Sequence, residues 1–84
     1  MTLVFDAHGR ARMEERSIPE EWCHRVVANP VHANRQANGW TQYWGYIVET
    51  DNYIRVTVRE DGKTVHTVHP DRNFKRRMER GESN

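Results

Sequence analysis

Three residues at intervals of four, His8, Arg12 and Arg16, carry the plainest chemical signal in this chain. They fall in His8-Gly-Arg-Ala-Arg12-Met13-Glu-Glu15-Arg16, a stretch that reads as helix. At 3.6 residues per turn this spacing keeps side chains on one face, so an imidazole and two guanidiniums stand in a row. Imidazole exchanges protons near neutral pH, and guanidinium matches the geometry of a phosphate. A second set, Arg55, Arg59 and His66, lies in the middle of the chain. Metal-free RNA cleavage needs a base for the 2′-hydroxyl proton, an acid for the leaving oxygen and cations for the phosphorane-like charge. Positioned acid–base groups contribute roughly 10²–10⁴-fold, and cations aimed at developing charge a comparable factor. His8, Arg12, Arg16 and His66 are the candidates for that work. The same residues also read as structural, because Glu15 lies beside the row and Glu14 near Arg10, where ion pairs would absorb the charges.

A metal site is not expected. His66-x-x-His69 has the look of a ligand pair, but residues three apart in a strand point to opposite faces, and no cysteine cluster completes the set. His24 and His32 stand alone. No cofactor is expected either. Nucleic-acid contact without catalysis draws on Arg55, Arg59, Lys75 and Arg76, with Trp44 and Tyr46 as platforms on which bases stack. Trp40 and Tyr43 could stack on bases in the same way, but a cluster such as Trp40, Tyr43, Trp44 and Tyr46 is more often core or protein interface, and Trp22 reads as core.

These groups must be positioned by a small body. The 84 residues fit one domain (1–84, core about 3–80), large enough for a thin core. A 30% share of charged residues is high, but eight aromatics and paired turn signals argue against disorder. The net charge of +1 is unevenly spread: residues 1–69 hold eight Lys/Arg against nine Asp/Glu, and residues 70–84 five against three, so the tail is mildly basic. Lone Cys23 makes no internal disulfide. The opening Met1–Asp6 is short for a signal peptide, and no apolar run approaches the roughly 20 residues that span a bilayer. The expectation is a cytoplasmic protein with no membrane partner, monomeric or a homodimer.

Asp6 is placed to cap a helix over about 7–16, with Ala7, Ala11 and Ile18 on its weak apolar side and Met13 nearby. Ser17-Ile18-Pro19-Glu20 offers a capping box, or alternatively Pro19 at the first helical position, for a second helix from about 18–20. Trp22, Cys23, Val26 and Val27 form the buried stripe of that helix, and Asn29-Pro30 ends it. Residues 31–39 read as extended or irregular. Thr41–Glu49, Tyr53–Arg59 and Thr64–His69 read as strands of an antiparallel meander, with Thr2–Phe5 a short first strand or lead-in. A two-residue Asp61-Gly62 loop would pair Thr57 with His66 and Arg59 with Thr64. Ile54, Val56, Val58 and Val65 then share one face, and Arg55, Thr57, Arg59, His66 and Val68 the other. A two-residue loop at Asp51-Asn52 sets Ile47 beside Val56 and puts Trp44, Tyr46 and Val48 on the arginine face. Asp71 can cap a last, basic helix at about 72–80, with Phe74 and Met78 on one face and Gly81 at its end.

The pattern His8-x-x-x-Arg12-Met13-x-x-Arg16-x-Ile18, followed by an acidic second helix, Asn29-Pro30 and a basic meander, resembles the domain-of-unknown-function family DUF4258 over roughly residues 5–70. That family looks related to the RelE/ParE-like superfold, including BrnT-like toxins. Two positions depart from the pattern: Pro19 stands where a Ser or Thr cap is usual, and Ser17 where a glycine precedes the isoleucine. The resemblance implies an α+β fold, two N-terminal helices packed on a three- to four-stranded antiparallel meander, plus a basic C-terminal helix. It also implies a toxin-like protein, a metal-independent ribonuclease or translation inhibitor acting on RNA or the ribosome and neutralised by an antitoxin. The competing expectation is a non-enzymatic accessory module that binds protein or nucleic acid.

Overall fold

A computed structural model describes residues 2–81. In chain order the elements are β1 (Val4–Phe5), α1 (Ala7–Arg16), α2 (Glu20–Ala28), β2 (His32–Arg35), β3 (Thr41–Ile47), β4 (Asn52–Val58), β5 (Thr64–Pro70) and α3 (Arg72–Glu79). They form an α+β structure around a five-stranded sheet of order β1-β5-β4-β3-β2. The expected three to four antiparallel strands are therefore five, and the sheet is mixed. β1 runs parallel to β5, pairing Val4 with Thr64 and Phe5 with Val65, while every other pair is antiparallel. The segment expected to be extended or irregular supplies the fifth strand, because His32–Arg35 finds open backbone groups along β3.

Local chemistry accounts for the helix ends. Asp6 accepts a hydrogen bond from the Gly9 amide at 2.7 Å and caps α1. Ser17 ends α1 in the left-handed region at φ 54°, the conformation in which glycine is cheapest. Pro19 is the residue preceding α2 and caps it without a side-chain bond, so neither the Ser17 capping box nor a proline at the first helical position is realised. Glu20 and Glu21 in the first turn complement the helix dipole instead.

The core lies on one face of the sheet. Ile47, Ile54, Val56, Val58, Val65 and Val68 project from the strands toward Met13, Cys23, Val26 and Val27 on the helices. At Gly45 an added Cβ would stand 2.7 Å from Val26 Cγ2, so the glycine lets α2 settle directly on β3. Trp22 is half-buried and packs against this core. In α1 the buried residues are Gly9 and Met13, whereas Ala7 and Ala11 are exposed, which corrects the expected apolar side. The helix lies with its Gly9–Met13 line against β5, and a small alanine on another face is not enough to turn it. On the opposite face of the sheet, α3 is held by fully buried Phe74, whose ring lies 5.5 Å from Trp44 and 5.0 Å from Tyr53. Among the described residues no helix is long and apolar enough to cross a membrane.

Both hairpins are longer than two-residue loops allow. Ile47 pairs with Asn52 rather than lying beside Val56, so the turn occupies 48–51 and leaves Val48 exposed. The shift is even, so Trp44 and Tyr46 keep the face of Arg55. At the second hairpin the Arg59 amide bonds the Thr64 carbonyl at 2.8 Å, as the register predicts. Beyond it the ladder slips: Val58 pairs with Val65 but Thr57 with Thr67, leaving His66 as the extra residue of a bulge. Val68 consequently falls on the core face opposite Val56, fully buried, and not on the arginine face.

Candidate functional site

The seam between α1 and β5 gathers most of the chemistry. α1 can lie close to β5 because Gly9 meets the Val65 carbonyl with no side chain between them. The Asp6 amide also bonds that carbonyl at 3.3 Å. His8 in the first turn then meets His66, which the bulge pushes out of the ladder. Their rings stack, with centroids 4.4 Å apart and planes 13° from parallel.

Asp6 organises this end of the seam. One carboxylate oxygen caps α1, and the other lies 2.9 Å from His66 Nδ1 and 3.0 Å from an Arg59 nitrogen. Burial pushes the Asp6 carboxyl up, but the Gly9 amide, the His66 bond and the Arg59 charge outweigh it and hold the group below its ordinary value. An ionised carboxylate only accepts, so Nδ1 of His66 is the donor, and in neutral imidazole Nε2 is then the proton acceptor. The Trp40 ring meets His66 edge-on at 4.8 Å, with the Arg59 guanidinium 5.6 Å from its centroid. Trp40 Nε1 donates to Glu60.

Further along the seam, His69 pairs with Arg55 across the ladder and lies 3.2 Å from the Thr67 hydroxyl. Burial, followed by the charges of Arg16, Arg55 and Arg12, holds this imidazole below its ordinary value and favours the neutral ring. Arg12 pairs with Glu15, and Arg55 sits 3.8 Å from Asp71. No carboxylate lies within ion-pair distance of Arg16 among the described residues, and its buried Nη1 has no hydrogen-bond partner. The bulge also overturns the expectation that His66 and His69 point to opposite faces: both lie on the side of the sheet that carries Arg55 and Arg59. Among the described residues no three His, Cys, Asp or Glu are grouped to hold a metal ion.

The sequence-derived candidates are thus divided. His8, His66 and Arg59 meet around Asp6, while Arg12, Arg16 and Arg55 surround His69. Lys75 and Arg76 lie elsewhere, on α3. Lys75 pairs with Asp51 at 3.2 Å, and Arg76 bonds Asn73 at 3.2 Å. Trp44 does not serve as a platform. It is 7% exposed beneath Phe74, and its Nε1 donates to Asp71 at 2.9 Å. Tyr46 is exposed, but its hydroxyl donates to Asp51 and its ring packs edge-on to Tyr53. Tyr43 is partly buried against the core.

No family model, curated protein or solved structure matches this chain. The site therefore rests on its own geometry. Sequence reasoning did not place Asp6 or His69 among the site residues, and it weighed Trp40 only within a wider aromatic cluster. Asp6 was visible only as a cap, since its second oxygen acquires its role through a strand sixty positions away.

Proposed function

We propose that this protein is a toxin-like, metal-independent ribonuclease that engages RNA along the α1/β5 seam. The single observation that carries the reading is the stacked His8–His66 pair with Asp6 on Nδ1 of His66. His66 Nε2 takes the 2′-hydroxyl proton, and the exposed imidazole of His8 serves as the acid that protonates the leaving oxygen. Arg59 and the Arg12–Arg16–Arg55 group offer donors to the phosphate as its charge grows. Trp40, part-exposed beside Arg59, offers a face on which a base can stack. The resemblance of the His8–Ile18 pattern to DUF4258 and RelE/ParE-like toxins supports the same reading, with an antitoxin as the partner that covers the seam.

The test is cleavage of single-stranded RNA in the presence of chelator by wild type, His8→Ala, His66→Ala and Asp6→Asn. The expected result is cleavage by wild type that falls by about 10²-fold or more in each histidine variant. Unchanged cleavage in both would end the proposal. Induced expression should also arrest growth, with rescue by a neighbouring gene product.

The second reading, a non-enzymatic binding module, is favoured by one observation: Arg12, Arg55 and Arg59 each have a carboxylate partner. Under that reading RNA binds the seam with a salt-dependent affinity and leaves uncut.

A further inference from the structure

A second concavity lies away from the stacked histidines, between the end of α1, the start of α2, the β3–β4 turn and α3. It encloses about 530 Å³, within the usual range for small-molecule sites. Its walls differ in character. Ile18, Trp22, Ile54 and Pro70 supply an apolar side, and Trp22 is only half-buried, so its ring is within reach of a ligand. Arg16, Arg72 and Arg76 also line the concavity and bring positive charge.

The charge balance of this groove selects a ligand. Lys75 is occupied by Asp51 at 3.2 Å and Glu79 at 3.9 Å, which leaves those carboxylates facing a cation of their own. Arg16 and Arg72 have no carboxylate partner among the described residues, and Arg76 bonds only the neutral amide of Asn73. Four cations against two carboxylates leave an excess of two positive charges. Arg16 is thus a cation of this groove with no charged partner, and its Nη1 makes no hydrogen bond. A phosphate monoester carries about −1.5 to −2 charges at neutral pH and presents three acceptor oxygens. A carboxylate matches only half of that excess. The apolar wall, with its indole, adds a place for a flat, weakly polar body beside the phosphate.

We propose that this groove is a binding site for a nucleoside monophosphate, its phosphate held by Arg16, Arg72 and Arg76 and its base against Trp22 and Ile18. The groove shares Arg16 with the proposed RNA seam, but neither stacked histidine lines it, so nucleotide binding here and cleavage there are tested separately.

The experiment is a titration of the full chain with adenosine 5′-monophosphate, followed by amide and indole NMR shifts, with adenosine and inorganic phosphate as comparison ligands. Shifts are expected at Ile18, Trp22, Ile54 and Arg76, and binding of the monophosphate should be stronger than that of either comparison ligand. Arg72→Glu and Arg76→Glu alter exposed side chains and should each weaken binding about tenfold or more, the loss of one charge-assisted hydrogen bond. Lys63→Glu, an equal charge change in the turn before β5, should leave it unaltered, as should His8→Ala. Absence of shifts at millimolar ligand, shifts confined to the His8–His66 end, or equal binding of inorganic phosphate and the nucleotide would overturn the proposal. An inactive protein that still binds the nucleotide would count against the ribonuclease and for this site.

Discussion

Gly9 faces the Val65 carbonyl so closely that a Cβ on it would come within 2.5 Å of that oxygen. The oxygen belongs to the backbone and a Cβ is fixed directly to the backbone, so neither can move aside by changing rotamer. Ordinarily alanine is the better helix residue by about 1 kcal/mol. Here Gly9→Ala should instead destabilise the protein by about 1–3 kcal/mol, the usual penalty of overpacking. Chemical denaturation checks it, and an unchanged or raised midpoint would mean that α1 does not lie against β5 as described. The same displacement would separate His8 from His66.

Ser17 leads to the opposite sign. Its φ of 54° costs a residue with a Cβ about 1–2 kcal/mol, and glycine pays back part of that gain through a freer unfolded chain. Ser17→Gly should therefore stabilise by about 0.5–1 kcal/mol. The denaturation midpoint should rise with an unaltered slope.

His69 sets a pH dependence. Its folded value is depressed below 6.5 by burial and by the charges of Arg16, Arg55 and Arg12. Below 6.5 the unfolded chain binds the proton more readily, so stability is full above that pH and falls as the pH drops toward the folded value. His69→Gln should flatten the stability profile in this window. A separate loss is expected in more acidic solution, where Asp6 and Asp71, both held below 3.8, are protonated. Thermal melts across the acidic range would show the two steps, and a His69→Gln profile identical to wild type would remove His69 from the first.

Asp71 ties α3 to the sheet. It accepts from the Phe74 amide at 2.9 Å and from Trp44 Nε1 at 2.9 Å. Asp71→Ala should cost about 1–2 kcal/mol through the lost cap and an indole donor left without its partner. Asp71→Asn keeps an acceptor oxygen and should cost less. Trp44 emission should shift in the alanine variant, and a null effect on both stability and emission would contradict the packing of α3.

Much of the scaffold is legible from short-range chemistry. Asp6 and Asp71 are caps by residue type and position, and both helices begin at the following residue. Cys23, Val26 and Val27 mark the buried stripe of α2 by their spacing, and Ile54, Val56 and Val58 the core face of β4. What escapes such reading depends on partners. Thr2–Phe5 reads as a short strand or a lead-in, and only the free edge of β5 decides for a strand, over Val4–Phe5 and parallel. Ala7 and Ala11 look more apolar than Gly9, but the absence of a side chain at Gly9 decides which face can approach β5. Trp44 carries the same aromatic signal whether it binds bases or lies beneath Phe74.

By itself, then, the amino-acid order determined the helices, the aspartate caps of α1 and α3, the meander and the clustering of histidine and arginine on α1, because each follows from interactions within a few residues. Only the tertiary structure decided which of those groups share a site. The bulge at His66 turns one imidazole out of the ladder and toward His8 and Asp6, and it sends Val68 inward. A one-residue slip of this kind leaves local propensities unchanged while reversing the face of each side chain beyond it, so its energy is settled by packing between distant segments.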